Sequence, residues 1–291
     1  MILPLKNCVD TIPSFSHPGV DDWADRVITN GGEKPSFNTI YTLYKFYRGL
    51  DFFGLTPLMV SVNCFVPDNL TASITPLIKV AGNDPWTNGS GFAGSKFVAG
   101  DLTVDGLKGN GIAKFLNTGV IAATSYNSEN IGITAYAMSI SGTFTVSRHD
   151  IGALENNFTT HRLGVPYSVT QAQLCCWGGG EAGGGFFSSN ALSGSRGYYS
   201  GNRTSDTYYA IYQANSFTTH SVGGFVSASS YGNPPNISYF VFGKQDSFYG
   251  SAYSDKRLSF VAFHYGLSLA QSSNFFNLVQ AMRVGLGGGY V

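Results

Sequence analysis

The stretch that decides the fold is RLSFVAFHYGLSLAQSSNFFNLVQAMRVGLG, residues 257–287. Its opening nine residues are apolar on both faces of an extended chain, the pattern of a strand covered on two sides. After Gly266 the period changes. Ser268-Leu-Ala-Gln271 is a capping box, and Phe275, Val279, Met282 and Leu286 follow at i, i+4, i+7 and i+11 along one helical face. Gly285 and Gly287 stop the helix. The spacing predicts a last core strand of a β-sandwich, followed by one helix over 268–285 laid on the sandwich. His264 then reads as part of the architecture rather than as a catalytic group.

Upstream of this stretch the same texture repeats. SYFVFGKQ is apolar on both faces, GITAYAMSISGTFTV alternates, and SDTYYAIYQ and HSVGGFVSAS add two further strands, with Gly, Asn and Ser clusters between them. The β texture starts near Phe92. Ahead of it, GVDDWADRVITNGG places Trp23 and Val27 four apart before an Asn-Gly stop, the outline of a short helix. A second helix is predicted in PSFNTIYTLYKFYRGL, with Ser36 as cap and Ile40, Leu43, Tyr47 and Leu50 at helical spacing. Pro4, Pro13 and Pro18 break the preceding residues. The chain therefore divides into an extended arm at 1–18, a helical lead-in at 19–91 and a β-sandwich at 92–291.

Composition agrees with a mainly β chain. Charged residues make up 12% against an ordinary share of about 25%, and the 37 glycines are nearly double the usual ~7%. Tight turns between strands use such residues. Seventeen basic and seventeen acidic side chains cancel without a Lys/Arg cluster, which removes the electrostatic footprint of a nucleic-acid binder. The initial apolar run is broken by Pro4 and Lys6, and no stretch reaches the ~18 apolar residues of a span, so neither a signal peptide nor membrane insertion is expected. Cys8, Cys64, Cys175 and Cys176 lack the spacing of a disulfide framework or a zinc site. No metal and no cofactor are expected.

The chemistry-bearing residues are sparse. GLKGNGIAK, residues 106–114, matches neither nucleotide fingerprint and leads into a strand-like run, so it reads as a turn. Glu33, Glu129, Glu155 and Glu181 each lack a second acid two to four residues away, as paired glycosidase carboxylates on one strand would need. The histidines are scattered, and in Ser147–Asp150 adjacent side chains on a strand diverge and cannot form a triad. No catalytic residue is expected. The aromatic supply differs: Trp177, Tyr198, Tyr199, Arg203 and Asp206 lie around a glycine-rich segment, 178–201, and combine rings with polar groups as a sugar site does. The competing reading makes these rings core or subunit-contact residues.

Three segments together resemble one family. GLKGNGIAKFLNTG at 106–119 is similar to a glycine-rich signature of bacteriophage and prophage virion proteins with a concanavalin-like (laminin-G-like) jelly roll. The closing strand and helix resemble theirs, as does the two-helix lead-in WADRVITNGGEKPSFNTIYTLYKFYRGL. The resemblance implies a structural, surface-exposed component of a phage particle, tail-associated or decorating the capsid. It implies docking to other virion proteins through the arm and front helices, homo-oligomerisation with a trimer favoured, and attachment through the jelly roll. It carries over no catalytic residues. The alternative is a lectin-like module that binds a host surface glycan, and a glycan depolymerase is a further one.

Overall fold

The computed structural model describes residues 16–91, 94–126, 130–139, 149–156, 159–168, 171–176, 185–188, 196–204, 209–215, 218–223, 234–246, 250–251 and 253–288. The front helices form where their caps allow. Helix α1 (Pro18–Thr29) starts at His17, whose Nδ1 accepts from the Gly19 amide, with proline at a position that has no amide hydrogen to satisfy. Pro18 thus opens a helix instead of closing an arm. Helix α2 (Phe37–Phe52) is capped by Ser36, whose Oγ accepts from the Thr39 amide. Residues 1–15 of the expected arm lie outside the described residues.

Strands follow at once. β1 (Met59–Asn63), a short α3 (Leu70–Ile74), β2 (Ile78–Lys79) and β3 (Thr87–Ser90) all precede residue 92. Next come β4 (Leu102–Thr103), β5 (Gly106–Lys108), β6 (Lys114–Ile121), a single-turn α4 (Ala122–Ser125), β7 (Ile131–Ala137), β8 (Ile151–Asn156), β9 (Thr159–Ser168) and β10 (Gln171–Cys176). The rest are β11 (Gly185–Ser188), β12 (Gly197–Arg203), β13 (Tyr209–Asn215), β14 (Thr218–Gly223), β15 (Ser238–Val241), β16 (Lys244–Asp246), β17 (Gly250–Ser251) and β18 (Arg257–His264), before the closing helix α5 (Leu269–Gly285).

These strands make two sheets. The first runs β14-β13-β12-β7-β18-β1-β2, with β4 and β5 attached to β18; the second runs β11-β10-β9-β8-β15-β6-β3, with β16 and β17 beside β8. Apart from β16 against β8, the pairings are antiparallel. This is a β-sandwich of jelly-roll type with helices near its two termini.

Alternation along β7 shows how the first sheet is covered. Ile131, Ile133, Ala135 and Ala137 join Leu116, Val120, Ile151, Tyr239 and Val241 of the second sheet in the inter-sheet core. Tyr136 points the other way, to a second core made with α1, α2 and α5 that holds Trp23, Val27, Leu43, Phe46, Phe275 and Val279. The molecule is therefore three layers: helices, first sheet, second sheet. Central strands of the first sheet are apolar on both faces because both faces are covered.

The boundary expected at 92 is not a structural one. β1 lies between β18 and β2, with Val62 opposite Ala262 and Asn63 opposite Val261, so the lead-in supplies a strand to the sheet. Five residues with mixed polarity, MVSVN, are too few to announce themselves beside two strong helical patterns. Within the glycine-rich segment 106–114 the residues 109–113 form a turn, as the sequence implies, between two strands. It joins β5 in the first sheet to β6 in the second, and Asn110 Oδ1 organises it by accepting from the amides of Ile112, Ala113 and Lys114. Gly106 has φ +103°, and a Cβ there would sit 2.1 Å from the carbonyl oxygen of Leu258.

One ion pair ties the two sheets together. Asp150 precedes β8 and Lys256 precedes β18; Lys256 Nζ donates to Asp150 Oδ2 at 2.7 Å, and Ser254 Oγ donates to Oδ1 at 2.6 Å. Neither charged side chain has any exposed surface.

Candidate functional site

The structure places the sequence-derived sugar-site residues in the interior or outside the described residues. Tyr198 and Tyr199 are adjacent on β12, so one ring points to each face of a doubly covered strand, and both are fully buried. The Tyr198 ring packs edge-on against Phe275 and Phe276 of α5, with its hydroxyl 3.1 Å from Ser272 Oγ. Tyr199 belongs to the inter-sheet core, where burial, followed by the charge of Asp150, pushes its phenol pKa up. Arg203, at the end of β12, is also buried. A sugar cannot stack on these rings. Trp177 and Asp206, the other two members of the expected constellation, lie outside the described residues.

His264 is built into the same layer. Its Nδ1 lies 2.7 Å from the Tyr265 carbonyl, which can only accept, so Nδ1 carries the proton. Nε2 is then the acceptor for Thr134 Oγ1, 2.7 Å away, and Ser200 Oγ is 2.8 Å from that same oxygen. Asn202 closes the chain, donating to Ser200 Oγ and accepting the Leu267 amide. Burial depresses the His264 pKa to about 4, so the ring is neutral. This network joins β7, β12 and β18 to the start of α5, and no solvent reaches His264.

Two surface clefts accompany the helices. One of about 380 Å³ between α1, α2 and β2 is lined by Asp22, Arg26, Tyr47, Lys79 and Asp84. Its guanidinium is engaged, donating to Asp22, Asp84 and the carbonyls of Pro76 and Leu77. The other, about 410 Å³, includes Glu33, Asp68 and Asn69. Asp68 there accepts from the Ser36 amide and the Thr39 hydroxyl, and Asn69 caps α3. In both clefts Arg26, Asp68 and Asn69 are engaged in holding elements in place.

The outer face of the second sheet differs from that of the first. β6 alternates buried and half-buried residues, with Leu116, Thr118 and Val120 turned inward and Phe115 and Asn117 turned out. Asn117 pairs with Phe240 of β15, and Gly89 of β3 pairs with Phe115. Phe115 and Phe240 stack face to face, 4.1 Å between centroids and 8° between planes, and Tyr253 continues the row 6.3 Å from Phe115. Gly89 makes this possible, because a Cβ there would meet the Phe115 ring at 2.3 Å. Gly91 does the same beneath the Tyr253 hydroxyl.

Amides and a hydroxyl border the row. Asn83 donates to Thr87 Oγ1 and to the Asn117 carbonyl, and Asn117 Oδ1 accepts from the Gly119 amide. Phe240 is buried, so the partly exposed rings of the row are those of Phe115 and Tyr253. Partly exposed rings set beside fixed amides form a surface for a flat, hydroxylated ligand. Sequence reasoning passed over these residues because β3, β6, β15 and the Tyr253 segment are far apart along the chain. The only local signal is the alternation in KFLNTG, which marks Phe115 and Asn117 as sharing one face. Among the described residues no group of three His, Cys, Asp or Glu could hold a metal ion.

No protein-family model matches the chain, and no curated protein matches it by sequence. Solved structures do resemble it. Domain 4 of AbnA, a GH43 extracellular arabinanase from Geobacillus stearothermophilus, in complex with arabinotriose, aligns over 75% of this chain and 98% of its own, with TM-score 0.52 and 8% identity. A Trypanosoma rangeli sialidase mutant displaying trans-sialidase activity aligns over 84% of this chain and 39% of its own, at TM-score 0.47 and 12% identity. The binding domain of botulinum neurotoxin serotype D covers 58% of this chain and 40% of its own, at TM-score 0.37 and 9% identity. At such identities the likeness is one of fold.

Proposed function

We propose that this chain is a glycan-binding β-sandwich module, which binds through the outer face of its second sheet and serves as a surface component of a phage particle. The observation that carries the binding half is the Tyr253-Phe115-Phe240 row, bordered by Asn83, Thr87 and Asn117, on a sheet face that the three long helices leave uncovered. The other sheet face that could serve is sealed beneath those helices. The likeness to the arabinanase domain agrees with this reading, since that domain was solved with a bound arabinotriose. The particle setting is supported by the three-segment resemblance to virion proteins.

The binding half is tested with the purified full chain on a glycan array that includes arabinan and bacterial surface oligosaccharides, followed by calorimetric titration of each hit. Tyr253→Ala and Phe115→Ala are expected to weaken binding about tenfold or more while the circular dichroism spectrum holds. An array without hits, or hits indifferent to both substitutions, overturns the reading. Release of reducing sugar from a hit polysaccharide, lost in Glu155→Gln, would replace a binding module by an enzyme. The particle setting has its own test: the protein is expected in purified particles by mass spectrometry and on their surface by electron microscopy.

A further inference from the structure

Phe242 is one of two non-glycine residues with a positive φ among the described residues, at +67°. A bulky side chain adopts that backbone conformation only where its surroundings impose it. Both of its main-chain groups are engaged. Its amide donates to the Asp150 carbonyl at 2.7 Å, and its carbonyl accepts the Ser254 amide at 2.9 Å. One strained residue thus fixes the chain ahead of β8 against the chain ahead of β18.

What it brings together is a carboxyl group flanked on both oxygens. Lys256 Nζ lies 2.7 Å from Asp150 Oδ2, and the Ser254 hydroxyl donates to Oδ1 at 2.6 Å. Ser254 Oγ in turn accepts the Lys256 amide at 3.2 Å, which ties hydroxyl and amine to one stretch of main chain. Asp150, Ser254 and Lys256 have no exposed surface. Tyr199 is buried close by: burial, then the charge of Asp150, raises its phenol pKa, and its hydroxyl makes no hydrogen bond among the described residues. An uncharged donor therefore stands near the carboxyl group in addition to Ser254.

An amine at one oxygen, a donor on the other and no water are conditions under which a carboxyl group condenses with an amine instead of only pairing with it. We propose that Asp150 and Lys256 form a self-modification site, at which Nζ and Cγ join in an amide that links the two sheets covalently. A proton passes from Nζ to Oδ2, which exchanges two buried charges for two neutral groups. The freed Nζ lone pair adds to Cγ, and Oδ1 takes up the displaced electron pair under the Ser254 hydroxyl. The C–Oδ2 bond then breaks as a second proton from Nζ moves to Oδ2, which leaves as water. One C–N bond replaces one C–O bond, nothing is oxidised or reduced, and no co-reactant is consumed. Only the folded chain brings residues 150 and 256 together, so the ion pair forms first and the bond follows it. The site is wholly interior, and the proposal stands independently of the glycan reading.

The test uses the purified full chain, denatured only for the measurement. Intact mass spectrometry is expected to show a chain one water lighter than its sequence, in a fraction that grows over days of incubation at neutral pH. Proteolysis and tandem mass spectrometry should find one branched peptide that joins the Asp150 segment to the Lys256 segment, with no tryptic cleavage after Lys256. Lys256→Arg keeps the positive charge and should keep the full sequence mass. Ser254→Ala should slow the loss of water at least about tenfold while the circular dichroism spectrum holds, because the donor on Oδ1 is gone and the pair remains. A full sequence mass after that incubation, with trypsin cutting after Lys256, overturns the proposal. So does a lost water with both peptides unbranched, which would mark a cyclised Asp105-Gly106 instead. A Ser254→Ala chain that closes the bond at the unsubstituted rate overturns the chemistry assigned to the site.

Discussion

His264 is held neutral by its surroundings, and that has a measurable consequence. Its folded pKa of about 4 lies below the unfolded value of about 6.5. The unfolded chain therefore takes up a proton first as pH falls. The stability that this residue contributes is fully present above pH 6.5 and is lost between 6.5 and 4. The loss over that window is on the order of 3 kcal/mol. Urea unfolding at pH 7 and pH 4.5 should show this difference in the unsubstituted chain and a smaller one in His264→Gln, which is less stable at pH 7 but has no imidazole to protonate. An equal pH slope in both would remove His264 as the cause. The Asp150–Lys256 pair makes a different case, because both charges are wholly buried and lie 2.7 Å apart. Lys256→Met alone should cost about 3–5 kcal/mol by stranding the carboxylate. Adding Asp150→Leu should restore much of that loss, and a double-mutant cycle in urea measures it.

At the scale of elements, the closing helix was legible because everything that specifies it is local. Ser268 Oγ accepts the Gln271 amide while Gln271 Oε1 accepts the Ser268 amide, and Phe275, Val279 and Met282 are buried where the spacing puts them. Trp23, Val27 and the Ser36 cap were readable for the same reason. Tyr198 and Tyr199 were not, since a pair of aromatics looks alike on a binding surface and on a strand covered twice. What decides between them is the helical layer over β12, contributed by residues before 60 and after 266. The ring row on the second sheet was hidden by the same distance, as strand pairing brings Phe115 to Phe240 and no local pattern joins them. Phe275→Asp should therefore act well beyond its own helix. It puts an unpaired charge among Phe46, Tyr198 and Phe260, and is expected to unfold the sandwich cooperatively, at a cost above about 4 kcal/mol. Ser268→Ala removes only a cap and should cost about 1 kcal/mol. Thermal denaturation followed by tryptophan fluorescence separates the two, and a Phe275→Asp protein that melts like the Ser268→Ala one would show that α5 is peripheral.

For the whole molecule, the layer order turns two local features into one geometry. The helices lie on one side of the first sheet and the ring row lies beyond the second, so the helical cover and the Phe115–Tyr253 row occupy opposite sides of the molecule. The same layering denies independence to the β-rich part. A fragment spanning 92–291 lacks β1, which lies between β18 and β2, and lacks α1 and α2, which cover Tyr136, Phe260 and Ala262. It would leave the edge of β18 unpaired and an apolar sheet face open to water, which favours aggregation over a folded monomer. Expressed alone, that fragment is expected to be insoluble or to lack a cooperative thermal transition. A fragment beginning at residue 16 should melt cooperatively, because it keeps the strand and the helical cover. A soluble 92–291 fragment with a sharp transition would show that the sandwich closes without its first strand, and that the three layers are two separable units after all.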